Sequence, residues 1–201
     1  MALKRKIQEE SNSSLNLEIN DTNLEKIQND FLRIADEILN HHILQISQVK
    51  FRILKIEFYF YNHSNHKDEN THALKYKRAQ QRQLLKNQWY LHKITINPKC
   101  TYKGIDYTFG NGKNYGGILI KEVINIDTKQ IFSQSKFIDE LISILKPSTK
   151  EDFIKIIEQE NKLHFKKEKL EIFPIQQSKR KGIVHKSFQN SNYAFSIKLN
   201  S

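Results

Sequence analysis

Glu57 is the first residue of the chain whose type and setting favour acid–base chemistry. It lies between Ile56 and Phe58 in residues 49–61, a run rich in β-branched and aromatic residues that predicts a strand or two consecutive strands. A carboxylate on the buried face of a strand loses hydration, which favours its protonated form and suits a general base. Because side chains alternate between the two faces of a strand, the sequence equally allows Glu57 to point into solvent.

Histidines and an aspartate downstream provide a second set of candidate residues. His66, Asp68, His72 and, farther along, His92 are of the types that zinc, iron or manganese accept as ligands. Their spacing matches no strong metal-binding motif, so we expect a histidine-rich surface loop and no bound metal. A metal-dependent nuclease or phosphoesterase built on these four residues is kept as an alternative function.

The glycines are concentrated in one segment, since five of the six lie between Gly104 and Gly117. Glycine-rich segments can cradle a phosphate. This one lacks both the Gly-Lys-Ser/Thr ending of a P-loop and the strand-then-helix setting of a dinucleotide fold. It therefore predicts tight turns between strands, and we expect no nucleotide cofactor.

Three regions of the chain must position these residues. Residues 1–20 are charged, rich in Ser and Asn and aperiodic, which predicts a disordered tail. Residues 21–47 predict an N-terminal helix that begins with a capping box of Thr22 and Glu25 and presents one apolar stripe. Residues 48–201 predict one domain that mixes strands and helices.

The pattern within the last region predicts its main elements. A short basic helix is expected around residues 75–85. Two further helices are expected on either side of Pro147, the second capped by Ser148 with Glu151. Further strands are predicted at residues 89–96, 118–124, 170–175 and 193–199.

Charge is the most informative overall property of the chain. Its 33 Lys and Arg residues against 22 Asp and Glu give a formal net charge of +11, which predicts a polyanionic partner such as nucleic acid. A lysine-rich composition bias is the plainer explanation of the same excess.

Other global features bound the setting of the protein. No apolar run approaches the ~20 residues that a membrane span requires, and the N-terminal residues predict no secretory signal. The single cysteine, Cys100, excludes an intramolecular disulfide. We therefore expect a reduced intracellular location, the nucleus in a eukaryote or the cytoplasm and nucleoid in a bacterium.

The motifs just described resemble those of the methylpurine-DNA glycosylases, the alkyladenine or 3-methyladenine DNA glycosylase family. Glu57-Phe-Tyr59 resembles the Glu-Ala-Tyr that ends the catalytic strand of that family. Asp68-Glu-Asn-Thr-His72 is similar to its Asp-Glu-x-x-His just downstream.

Later segments continue the resemblance in the family's order to the C-terminus. Residues 117–121, Gly-Ile-Leu-Ile-Lys, resemble an apolar strand that ends in a basic residue, and residues 133–136, Ser-Gln-Ser-Lys, resemble a Gly-Pro-Ser-Lys motif. Residues 180–183, Arg-Lys-Gly-Ile, followed by residues 193–197, resemble Arg-Val-Gly-Ile and the final strand of the family.

The resemblance implies both a fold and an activity. The fold would be a single α+β domain with a curved antiparallel β core flanked by helices, here with an N-terminal helical extension. The protein would be a monomer that flips a modified purine out of double-stranded DNA and excises it without metal or organic cofactor. Glu57 would activate the water that attacks the sugar.

The resemblance also assigns the remaining site residues. The base pocket is assigned to ring-bearing side chains, which stack on bases: Tyr59, Tyr61, His72 and Tyr102. Contacts to DNA are assigned to cations: Lys121, Lys136, Arg180 and Lys181.

Some positions depart from the family pattern. Asp106 falls where the family has an Asn, Gln134 replaces its Pro, and Ala194 replaces an Arg of the last strand. The stretch between Tyr59 and Asp68 is longer than in the family. A catalytically inactive nucleic-acid-binding module on the same scaffold is therefore the principal alternative function.

Overall fold

The computed structural model describes residues 15–92, 103–160 and 162–199. The helices in these ranges are α1 (Leu24–His41), α2 (Lys77–Gln83), α3 (Gln134–Leu145) and α4 (Lys150–Glu158), with a short 3-10 helix at His72–Leu74. The strands are β1 (His42–Ile46), β2 (Val49–Asn62), β3 (His66–Lys67), β4 (Lys86–His92), β5 (Gly104–Phe109), β6 (Tyr115–Asn125), β7 (Ile131–Ser133), β8 (Leu163–Lys167), β9 (Gln176–Ser178) and β10 (Ala194–Ser196). None of the helices in the described ranges is long and apolar enough to cross a membrane.

One curved sheet organises these strands. Its main path runs β4-β5-β6-β2-β1-β8, and β10 pairs with β2 beyond the end of β1. Every pairing is antiparallel, and a register shift between Ile53 and Ile56 marks an irregularity of the kind that bends a strand. The α+β fold class with a curved antiparallel core and flanking helices is confirmed.

Helix α1 packs against one face of the sheet. Phe31 stacks on Phe58 of β2 with ring centroids 4.4 Å apart, and Ile34 and Ile38 on the same helix face are fully buried. Burying such side chains stabilises the fold by about 1.5–3 kcal/mol each. The helix is thus an integral part of the core, as its apolar stripe predicts.

The residues just before this helix differ from the prediction. Leu15 and Leu17 are buried in the same core, so residues 15–20 of the predicted disordered tail are packed. The rest of that predicted tail lies outside the described residues.

The first helix is also shorter than predicted. It begins after Asn23, whose side chain accepts a hydrogen bond from the Lys26 amide, one residue later than the predicted Thr22 cap. It ends at His41, and residues 42–46 form β1, which pairs with both β2 and β8. Two-sided strand pairing overrides the local helical pattern here, and Ser47 makes the turn into β2 with a positive φ of 52°.

Two elements in the C-terminal part of the chain also differ from their prediction. Helix α4 is capped by Thr149, which accepts a hydrogen bond from the Asp152 amide at 3.0 Å, rather than by Ser148. The predicted strand at residues 170–175 is irregular, because the Asn40 side chain binds both the N–H and the C=O of Phe173. The backbone groups that a ladder would use at that residue are therefore already bonded.

Candidate active site

One row of paired residues crosses the sheet on the face opposite α1. Tyr90, Asp106, Leu119, Glu57 and Ala194 are successive partners on five strands. Directly paired residues share a face of the sheet, and Glu57 must face away from α1 because its neighbour Phe58 packs on that helix. Glu57 is 1% exposed, so the structure places the carboxylate inward, the direction that the sequence left open.

Two side chains contact the Glu57 carboxylate, and both approach the same oxygen. The Tyr59 hydroxyl donates a hydrogen bond to Oε2 at 2.9 Å, and the Lys121 ammonium lies 3.7 Å from Oε2. Burial, followed by the negative charge of Glu57, raises the pKa of Tyr59 far above its ordinary range. The phenol therefore stays protonated and acts as a donor to Glu57. Lys121, predicted to contact DNA, lies beside the candidate general base.

A cavity of about 230 Å³ opens on this face of the sheet. Rings of Tyr59, His72 and Tyr76 contribute to its walls, Leu119 lies between Glu57 and Asp106, and residues 182–184 form one side. Pockets for drug-sized ligands occupy about 300–1,000 Å³, so this one suits a smaller ligand.

The residues predicted to form the base pocket do not all line the cavity. Tyr59 and His72 both line the cavity, but the ring of Tyr61 lies outside it and contacts His63 and Tyr115, with centroids 5.0 and 6.5 Å away. Tyr61 is therefore not among the residues that line this cavity. Tyr102 lies outside the described residues.

Tyr76 is a cavity residue that the sequence analysis missed. It is 45% exposed at the cavity wall, and its ring centroid lies 5.4 Å from that of His72. The Tyr76 amide donates to the His72 carbonyl at 3.0 Å, so the two side chains share one helical turn. The spacing of four residues was the signal that could have identified it.

Arg180 is not available to bind DNA as predicted. Its side chain is fully buried, lies 2.6 Å from the Asp68 carboxylate and donates to the Phe58 carbonyl at 3.0 Å. The guanidinium carbon also lies 4.5 Å from the ring of Tyr59 and 5.5 Å from that of Tyr193. Its charge is therefore used inside the protein to hold the Tyr59 ring and the loop of Asp68.

The loop that contains Asp68 is connected by hydrogen bonds to the opposite side of the cavity. Asp68 Oδ1 accepts from the backbone and side-chain nitrogens of Asn70, both at 3.1 Å. The Asn70 side chain exchanges hydrogen bonds with the backbone of His185, at 3.2 and 3.0 Å. This network connects the segment before His72 to the segment that contains residues 182–184.

The other predicted DNA contacts are on the surface. Lys136 lies in the first turn of α3 and Lys181 follows Arg180, and both side chains are exposed. Lys75 is exposed at the cavity itself. The side chains of these three lysines are exposed to solvent, whereas that of Arg180 is buried.

The histidine-rich segment forms a packed network. His66 is fully buried, with Nδ1 2.9 Å from the Phe60 carbonyl and Nε2 2.9 Å from the Tyr193 hydroxyl. Because a carbonyl only accepts, Nδ1 carries the proton and Nε2 accepts from Tyr193. Asp68 is already paired with Arg180. Among the residues that the structure describes, no three His, Cys, Asp or Glu residues are grouped to hold a metal ion.

The residues proposed as metal ligands of a nuclease or phosphoesterase are therefore not grouped as a metal site. His66 uses both ring nitrogens in the aromatic core, whereas His72 belongs to the cavity, so the two histidines serve separate environments. His66 and His72 lie in separate parts of the fold, and their spacing along the chain does not reveal this separation.

The His66 network predicts that the protein loses stability in mild acid. Burial lowers the pKa of His66, and also that of His42, below the ordinary value of 6.5. The unfolded chain therefore binds these protons at a higher pH than the folded chain, and protonation favours unfolding. We expect the free energy of unfolding to fall as pH drops below about 6.5, by up to about 1.4 kcal/mol per pH unit for each group.

Urea denaturation at several pH values between 5 and 8 measures this effect. His66→Asn is expected to be less stable at every pH but to show a flatter dependence, because one of the two groups is gone. His164→Gln, at an exposed position of β8, is the matched control and is expected to keep the slope of the unaltered protein. An equal slope in all three proteins would contradict the assignment.

The described residues thus form an α+β domain with a buried carboxylate beside an aromatic-walled cavity. No family model matches the chain. An uncharacterized protein of Acanthamoeba polyphaga mimivirus, L759, is 32% identical to it over 116 residues, covering 50% of this chain and 50% of that protein. The chain therefore spans about half the length of the curated relative that it matches. The name of that relative states no activity, so a functional assignment depends on the geometry.

Proposed function

We propose that this protein is a DNA N-glycosylase that binds a flipped, modified purine in the cavity and excises it with a water activated by Glu57. The observation that carries this proposal is the position of Glu57. It is 1% exposed, shares a sheet face with the cavity residue Leu119, and is hydrogen-bonded to the cavity residue Tyr59. A general base held near an aromatic-walled cavity of this size suits hydrolysis of a base–sugar bond.

The surrounding residues support the individual chemical steps. Tyr59, His72 and Tyr76 offer faces or edges to a planar base, which stacking stabilises by about 1–3 kcal/mol per base. Glu57 accepts a proton from water while the water oxygen bonds to the sugar C1′. The bond from C1′ to the base nitrogen breaks, and the base leaves with that electron pair. A neutral purine then takes up the proton that Glu57 accepted, whereas a cationic N-alkylated purine leaves as the neutral base. The Lys121 ammonium lies 3.7 Å from the Glu57 carboxylate, so a positive charge adjoins the residue that accepts the proton.

The charge of the chain supports a DNA partner. The formal net charge is +11, and exposed Lys75, Lys136 and Lys181 are available for phosphate contacts. Each phosphate that a cation neutralises releases counterions, so binding weakens as salt rises.

The direct test is incubation with duplex DNA that carries alkylated or deaminated purines, followed by chromatographic detection of free base. We expect release of base from at least one such duplex and none from the unmodified duplex. We also expect DNA affinity to fall steeply between 50 and 200 mM salt, because the contacts are largely to phosphate.

A catalytically inactive nucleic-acid-binding module is the second candidate. Tyr59 and Leu119 line the cavity, whereas Glu57 lies one hydrogen bond behind Tyr59. Salt-dependent DNA binding without release of base from any modified duplex would favour this second function over the first.

A further inference from the structure

A second carboxylate lies in the cavity and has no role in the proposed hydrolysis. Asp106 is 3% exposed and lines the cavity on the same sheet row as Glu57, with Leu119 between them. Its Oδ2 accepts from the Gln83 amide nitrogen at 2.9 Å, and its Oδ1 lies 3.2 Å from Nε2 of His92. Both oxygens are therefore held in place.

The neighbours of Asp106 leave its orientation little freedom. Gln83 is fully buried, and its Oε1 accepts from the Ala73 amide at 2.9 Å, so its NH₂ group must be the one that faces Asp106. Gly117 provides the space for this pair, since a Cβ there would lie 2.6 Å from the Gln83 nitrogen and 3.0 Å from Asp106 Oδ2. The absence of a side chain at residue 117 thus allows the Asp106 carboxylate to occupy the cavity face of the sheet.

The chemistry of this carboxylate restricts what can bind beside it. An ionised carboxylate accepts hydrogen bonds at about four lone-pair positions and donates none. Gln83 and His92 occupy one position on each oxygen, which leaves acceptor capacity towards the cavity. A ligand that presents N–H groups or positive charge satisfies it, whereas a carbonyl oxygen at the same place meets another acceptor and remains unpaired.

We propose that Asp106 is a specificity-determining residue, which selects purines with an amino group or a positive charge over purines with a carbonyl at that position. The substrate class would be adenine-like and cationic N-alkylated purines, as opposed to hypoxanthine-like ones. This inference rests on the proposed function, because it assumes that the cavity holds a purine. It does not depend on catalysis, since binding of a free base suffices.

The test compares free adenine with free hypoxanthine, which carry an amino group and a carbonyl, respectively, at position 6. Hypoxanthine also has an N–H at N1, but its carbonyl would meet Asp106 where adenine presents its amino group. Ligand-observed NMR titration of the full chain measures both affinities, including those in the millimolar range. We expect adenine to bind the unaltered protein at least about tenfold more tightly, since an unpaired buried polar group costs about 1–3 kcal/mol.

Asp106→Asn is expected to reduce this preference to about twofold or to invert it. The new amide offers an NH₂ donor to a carbonyl, and His92 can accept from that amide by changing tautomer. Asp127→Asn, in an exposed turn after β6, is the matched control and is expected to keep the adenine preference. A thermal unfolding curve checks that each variant remains folded.

Each outcome bears on the inference. If the unaltered protein prefers adenine and Asp106→Asn removes that preference, the inference is supported. Equal binding of the two bases by the unaltered protein, or tighter binding of hypoxanthine, overturns the inference about Asp106. The proposed function remains intact in that case if base is released from modified DNA. Binding of neither base also overturns the inference, and absence of base release in the duplex assay then removes the proposed function as well.

Discussion

Replacing Glu57 by Gln is expected to lower the rate of base release from modified duplex DNA by about 10²–10⁴-fold, the usual contribution of a general base. The Gln side chain has nearly the same shape, and its oxygen can still accept the hydrogen bond from Tyr59. It cannot take a proton from water. Single-turnover kinetics with chromatographic detection of the free base measures the loss.

Two further variants distinguish lost chemistry from lost structure. Glu122→Gln, at a partly exposed position of β6, is the matched control and is expected to keep the rate of the unaltered protein. Tyr59→Phe keeps the ring in the cavity but removes the donor to Glu57, and we expect a smaller loss of rate. DNA affinity of Glu57→Gln is expected to stay within about twofold, because the phosphate contacts are unchanged. Base release by Glu57→Gln at the unaltered rate is the result that removes Glu57 from the mechanism.

Replacing Asp68 by Asn is expected to lower the free energy of unfolding by about 3–5 kcal/mol. Both side chains of the Asp68–Arg180 ion pair are fully buried. The Asn can still accept from Asn70, so the change leaves the local turn in place but deprives the buried guanidinium of its counter-charge. Urea denaturation followed by circular dichroism measures the shift.

The neighbouring residue provides a matched control for this prediction. The Glu69 side chain is 59% exposed and faces His185 at 3.7 Å, so Glu69→Gln is expected to change stability by no more than about 0.5 kcal/mol. Replacing both members of the buried pair, by Asp68→Asn with Arg180→Met, is expected to recover much of the loss, because the Asn still accepts from Asn70 and no charge is left unpaired. A double variant as unstable as Asp68→Asn would show that packing, and not charge pairing, is the main contribution.

The same variants link stability to the cavity. Arg180 contacts the Tyr59 ring, and Asp68 organises the loop that leads to His72 through Asn70. Loss of the pair therefore loosens two walls of the cavity together. We place Arg180 among the residues that position the site, in contrast to its predicted role at the DNA surface.

Local patterns in the chain were enough to predict the class of fold and most of its elements. Alternation of β-formers predicted the long strand that carries Glu57, and apolar periodicity predicted the helix that contains Phe31 and the pair of helices around Pro147. These signals are local, because the spacing of buried side chains along a helix or strand follows from its own geometry. Residues two apart on one strand share a face, so Glu57 and Tyr59, which the family resemblance assigned to one site, lie side by side on β2.

Which face of a strand is buried, and which distant residues meet there, depends on long-range packing that local patterns do not contain. The registers of β2 with β6 and of β6 with β5 placed Glu57 and Asp106 on either side of Leu119, and the return of the chain near residue 180 buried Arg180 against Asp68. A basic residue in a turn carries the same local pattern whether it meets a phosphate or a buried carboxylate. The difference lies in long-range pairing between strands, whose energy depends on partners far away in the sequence.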